Sequence, residues 1–123
     1  MSIVGSRAER GTSRVDRIEV RESACRVVNV LVAAAFGVPL EALRSVQRGS
    51  SRTALARQAA MYLAHVMLGM TITEVGQRFG RDRTTVAHAC RTIEDKRDDP
   101  QVERLLSFLE EALVTCLGSE AQR

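Results

Sequence analysis

The residues best placed to do chemistry lie between Arg81 and Arg91, where the run RDRTTVAHACR sets guanidinium groups, two hydroxyls and an imidazole within a few residues of one another. These groups hydrogen-bond to base edges and neutralise phosphate; they do not make or break bonds by themselves. The elements of a hydrolytic site are missing around them. Cys25, Cys90 and Cys116 have no neighbouring base in sequence to activate a thiolate, and His65 and His88 stand at no metal-ligand spacing. The acids Glu94, Asp95, Asp98 and Asp99 read as a solvated helix end, not a catalytic cluster. No catalytic residue, metal or cofactor is expected, and a nuclease ranks last among the functions considered.

Recognition of this kind needs a rigid presenting element. Asp82 can cap a helix by accepting the free N–H groups of its first turn. In that helix Val86, Ala89, Cys90 and Ile93 recur at inward spacing, which leaves Arg83, Thr84, Thr85 and His88 on the outward side of its start. Upstream, Thr71 and Glu74 have capping-box spacing and open a helix of about two turns from Ile72 to Phe79, with Gly80 as the turn. A short helix, a glycine turn and a second helix polar at its N-terminus form a helix-turn-helix, whose second helix can enter the major groove of double-stranded DNA.

The rest of the chain supports an all-α domain. It has 123 residues, 45% of them apolar, with 8 Gly and 2 Pro. Ala, Leu, Arg and Glu dominate, the residues that lose least on entering a helix. A first helix is expected from about Val15 to Phe36 with Ile18, Cys25, Val28, Leu31 and Val32 inward, closed by Gly37. Pro39 then suits the first turn of a short helix. A polar loop from Gln47 to Thr53 leads to a helix from Ala54 to Leu68 with Met61, Leu63, Ala64 and Leu68 inward, ended by Gly69. Asp99-Pro100 starts the last helix, with Leu105, Leu106, Leu109, Leu113 and Leu117 as its apolar face and Gly118 as its stop. Residues 14–118 form the domain, residues 1–13 a flexible arm, and residues 119–123 a disordered tail.

Charge is unevenly distributed. From Arg44 to Gln58 the chain carries Arg44, Arg48, Arg52 and Arg57 with no acid, a local +4. Arg78 to Arg91 carries +3, and Glu94 to Arg123, with four bases and eight acids, carries −4. The longest apolar stretch, Val27 to Phe36, falls well short of the roughly 20 residues of a spanning helix. No secretory signal is evident, so a reduced, cytoplasmic, nucleoid-associated setting is expected, without membrane partners.

With RQAAMYLA at residues 57–64 and EVGQRFGRDRTTVAHACRTI at 74–93, the chain resembles the C-terminal DNA-binding domain of the bacterial replication initiator DnaA. The resemblance runs from about Val15 to Leu117. It implies a compact six-helix domain, Trp-repressor-like in its helix-turn-helix, that reads a short asymmetric DnaA box. By position it implies phosphate contacts from Arg57 and Gln58, with Arg81 also on the backbone. Asp82, Thr84, Thr85, Val86 and His88 would face base edges, and one of Arg48 and Arg52 would enter the minor groove. Two positions depart from the family: Arg83, where His is usual, and His65, where Lys or Arg is common. A guanidinium at 83 favours guanine and can shift the preferred sequence. The sequence also lacks the GxxxxGK[ST] loop of a nucleotide-binding module, its single Lys, Lys96, following Glu-Asp. Expected is a DNA-binding fragment or stand-alone regulator of replication initiation or transcription, without ATPase activity. The alternative is the same fold used to hold a protein partner, with a homodimer or partner contact through the last helix.

Overall fold

The structure, a computed structural model, describes residues 14–45 and 49–118. Among these residues it is built of α1 (Arg14–Phe36), a 3-10 turn (Leu40–Leu43), α2 (Ser51–Leu68), α3 (Ile72–Phe79), α4 (Arg83–Lys96) and α5 (Pro100–Leu117). The all-α expectation holds, but five α-helices stand where six were expected. The segment after Pro39 is the difference. Pro39 is extended (φ −64°, ψ 145°) and lies outside the element, so only Leu40–Leu43 remain to turn. Ala42 N–H donates to Pro39 O at 3.0 Å and Arg44 N–H to Glu41 O at 3.1 Å, the i to i+3 pattern of a 3-10 turn. Leu43 drops into the core and anchors it.

The other boundaries follow local chemistry. Gly37 takes φ +68°, which lets its N–H reach Ala34 O and the N–H of Val38 reach Ala33 O, closing α1 in a Schellman motif. Asp99 caps α5 by accepting from Gln101 N–H at 2.8 Å, with Pro100 at its first position. The expected loop over residues 47–53 is shorter than supposed. Ser50 Oγ accepts from Thr53 N–H at 3.2 Å, so α2 starts at Ser51 and Arg52 belongs to its first turn. The N-terminal arm, Arg48 and the C-terminal tail lie outside the described residues.

Helix α2 is the axis of the domain. Nine of its 18 residues are buried, Ala59 to Ala64 without interruption, as fits a helix covered on most sides. The alanines let α1, α4 and the 3-10 turn come close to it. Met61, Leu63, Ala64 and Leu68 are inward as expected, and so are Cys25, Val28 and Val32 of α1 and Leu106, Leu109 and Leu113 of α5. Leu31, Leu105 and Leu117 are only half-buried at the core's margin. Two ion pairs, Arg21–Glu74 at 3.1 Å and Arg78–Glu22 at 3.0 Å, join α1 to α3. Being partly exposed, they orient α3 more than they stabilise it. No helix among the described residues is long and apolar enough to cross a membrane.

Candidate nucleic-acid interface

Helix α3, the turn after it and α4 form a helix-turn-helix. Thr71 Oγ1 accepts from Glu74 N–H at 3.0 Å and Glu74 Oε1 accepts from Thr71 N–H at 2.8 Å, the reciprocal capping box read from the sequence. The Thr71 amide holds the Glu74 carboxyl below its ordinary range, and the Arg21 charge adds to the effect. At the other end of α3, Gly80 adopts φ +68° and the N–H of Arg81 donates to Gly76 O at 2.9 Å. Gly76 makes this turn possible. A Cβ there would lie 2.5 Å from the carbonyl oxygen of Arg81, inside van der Waals contact. The two helices meet backbone to backbone.

Asp82 then starts α4. Its Oδ1 accepts from Thr85 N–H at 2.7 Å. That amide, with a smaller contribution from Thr84, lowers the carboxyl pKa. Asp82, Arg83, Thr84, Thr85 and His88 are all exposed, while Val86, Ala89 and Ile93 are buried. Val86 must therefore leave the set of base-facing residues. Its side chain is 0% exposed, packed in the core, and fastens the helix instead of reading a groove. Cys90, expected inward, is half-buried.

Two further features complete this face. Arg91, one turn beyond His88 and exposed, extends the row Thr84, His88, Arg91 at i, i+4, i+7. A helical step from His88 in the sequence would have found it. A shallow groove also runs between the two helices, lined by Thr73 and Gln77 of α3 and by Arg81, Arg83, Thr84 and Ala87. Thr73 and Gln77 carried no signal in sequence, because only the crossing of α3 over α4 brings them beside Arg83 and Thr84.

Arg57 and Arg81 come together beside this surface, near enough that the charge of Arg81 helps lower the pKa of Arg57, after burial itself. Arg57 Nη2 donates to Ala42 O at 2.9 Å, and its Nε is buried without a partner. Among the described residues neither guanidinium pairs with a carboxylate. Gln58 is half-buried beside Arg57 in the chain. Arg52 is exposed and reaches back toward the end of α1: a methyl added at Gly37 would lie 3.9 Å from its Nη1. The ring of His65 is bound to its own fold, Nδ1–H donating to Met70 O at 2.7 Å beyond the end of α2.

The chain is similar to known proteins in sequence and in fold. Residues 26–93 match the family described as "Bacterial dnaA protein helix-turn-helix". The chain is 46% identical over 68 residues to chromosomal replication initiator protein DnaA 1 of Protochlamydia amoebophila, covering 53% of this chain and 14% of that protein. It is 37% identical over 84 residues to DnaA 2 of Chlamydia pneumoniae, covering 68% and 18%. The DnaA of Laribacter hongkongensis is 39% identical over 84 residues, 67% of this chain and 17% of that one. In each case the match spans less than a fifth of the relative. A solved structure described as that of a DNA replication initiation factor superposes with a TM-score of 0.74 at 30% identity, over 84% of this chain and 32% of the other. With more than half of its 123 residues matched, the chain belongs to the bacterial DnaA helix-turn-helix family.

Proposed function

We propose that this chain binds double-stranded DNA at DnaA-box-type sites, with the start of α4 in the major groove, and that it acts in the control of replication initiation or of transcription. The observation that carries the reading is the pairing of two surfaces: Arg83, Thr84, Thr85 and His88 exposed on one end of a capped helix, and two guanidinium groups, Arg57 and Arg81, gathered nearby without carboxylates. In this reading Thr84, Thr85 and His88 meet base edges, and Arg91 continues their row. Arg83 gives guanine a bidentate partner. Asp82 serves mainly as the cap that aims the helix, since its carboxylate is occupied by backbone amides. Arg57 and Gln58 lie along a phosphate path, with the charge of Arg81 beside Arg57 adding to its pull on an anion. One of Arg48 and Arg52 takes the minor groove. The chain itself is assigned no nucleotide hydrolysis, cofactor or metal.

Selection of bound sequences from random duplexes tests this directly. The expected result is enrichment of a short asymmetric box by the wild type. Arg83→His should move the preference at one base pair by about 1–3 kcal/mol, the usual worth of a bidentate base contact. Retention of random sequence alone, or an unchanged preference in the variant, would sink the reading of position 83. A second reading draws on Phe108 of α5, a large apolar side chain left 61% exposed. A protein partner or a second copy seated there should show as concentration-dependent mass in sedimentation, abolished by Phe108→Ser.

A further inference from the structure

Arg81 stands in the turn ahead of α4, yet its guanidinium is turned back on the protein. Nη2 donates to the carbonyl of Ser45 at 2.7 Å, and Nη1 donates to Phe79 O at 3.1 Å and, more weakly, to Gly80 O at 3.4 Å. Ser45 lies 36 residues earlier in the chain, just past the 3-10 turn. Arg57 of α2 holds the same region through Ala42 O at 2.9 Å. The 3-10 turn is thus fastened to α2 by one arginine, and the residue leaving it is fastened to the helix-turn-helix by the other. These are charge-assisted hydrogen bonds from planar donors, which fix direction as well as distance. Two like charges are held side by side to achieve it, an arrangement that stability alone does not favour.

We infer that Arg81 is a positioning residue: by bridging Ser45 to Phe79 and Gly80 it sets the place of Arg44 and Ser45, where the chain leaves the 3-10 turn, relative to the start of α4. Its consequence for DNA rests on the function proposed above: a ligand touched both by the basic stretch that begins there and by the helix meets the two in fixed register only while this strut is intact. A phosphate contact would need only the charge of Arg81. A strut needs its fork, because the shorter lysine side chain, with one nitrogen, cannot reproduce the two separate nitrogens that reach Ser45 at 2.7 Å and Phe79 at 3.1 Å.

The experiment compares Arg81→Ala and Arg81→Lys with the wild type, first without DNA. Amide exchange is followed at Arg44, whose N–H is bonded to Glu41 O, and at Leu109 in α5 as an internal reference. Acceleration at Arg44 of about tenfold or more in both variants, with Leu109 unchanged, supports the strut; equal rates at Arg44 overturn it. Should Arg81→Ala fail to fold, Arg81→Lys alone decides, because it keeps the charge and loses the bridge. Duplex binding comes second, read as separate footprints of the two grooves. The expected result is that both variants lose minor-groove protection while major-groove guanine protection remains. Equal loss in both grooves, or full rescue by Arg81→Lys, assigns Arg81 a phosphate contact and overturns the positioning role. If the wild type itself ignores duplexes, the proposed function falls, while the exchange rates still decide whether the strut exists.

Discussion

The two ends of α4 use arginine in opposite ways. At its start, Arg57 and Arg81 donate only to backbone carbonyls among the described residues, and they stand close enough to repel one another. At its end, Arg97 is surrounded by acceptors. Its Nε donates to Glu103 at 2.6 Å, Nη1 to Glu110 at 2.8 Å and to the Tyr62 hydroxyl at 3.1 Å, and its guanidinium carbon lies 6.0 Å from the centre of the Tyr62 ring. These carboxylates raise the pKa of Arg97 further, whereas burial and a like charge lower that of Arg57. Neutralised charge fastens α4 to α5 and α2. Charge left without a counterion at the other end remains available to an external anion. Residue type therefore says little about role; the company of each guanidinium decides it.

The turn end is also where the backbone is least forgiving, and the largest effect on stability should arise there. In Gly76→Ala the new Cβ meets the Arg81 carbonyl at 2.5 Å, so α3 and α4 must separate. Overpacking of this kind costs about 2–3 kcal/mol, less a few tenths to 1 kcal/mol returned by helix propensity. Chemical denaturation should show the loss. A near-neutral result would mean that the helices do not meet as closely as described.

The arginines themselves allow a crossed comparison. Arg97→Gln should destabilise the fold by about 1 kcal/mol, because hydrogen bonds to charged groups are broken and two partly exposed carboxylates lose their partner. Its affinity for duplex DNA, corrected for unfolded protein, should hardly change. Arg57→Gln should do the reverse. Stability should shift by well under 1 kcal/mol, because relief of repulsion and of burial offsets the lost bond to Ala42. Binding should weaken on every sequence alike, and the slope of log K against log salt should flatten by about one. If both variants lost stability equally and binding equally, the contrast between the two ends would not exist.

What could be read in the sequence depended on range. The caps at Thr71 and Glu74, at Asp82 and at Asp99 with Pro100 act over two or three residues, and the glycine stops over three to five, so local spacing suffices to find them. The Ser50 cap has the same range but lacks an acid three residues on, and the polar company of Gly49, Ser51 and Arg52 made the first turn of α2 look like loop. The face made of Arg83, Thr84, Thr85 and His88 follows from periodicity once Val86 and Ile93 are inward. Periodicity also argued against Val86 as a reader, which the family resemblance had placed on the outside. Arg97 was hidden. It sits among Glu94, Asp95, Asp98 and Asp99, four exposed acids that do form a solvated end. Its partners Tyr62 and Glu110 lie 35 and 13 residues away, and only the packing of α5 across α2 brings them together. The joint hold of Arg57 and Arg81 on the 3-10 turn is non-local in the same way.

The smallest effect concerns acid. Hydrogen bonds from Arg97, and then from Ser107, push the Glu103 pKa down to about 2, from an ordinary 4.5. A carboxyl depressed in the folded state stabilises it above the unfolded value, and that contribution drains away as pH falls from about 4.5 toward 2. Glu74 and Asp82 are depressed as well, at the other end of the helix-turn-helix, so the whole protein should weaken on acidification. The difference between wild type and Glu103→Gln isolates the Arg97 junction, because both proteins keep the other two carboxyls. Above pH 5 the wild type should have the higher urea midpoint. The gap should close steadily between pH 4.5 and 2, the interval fixed by the two pKa values. A gap that stayed constant over that interval would mean that Glu103 acts by shape and not by charge. Arg97 would then no longer be the neutralised counterpart of Arg57 and Arg81.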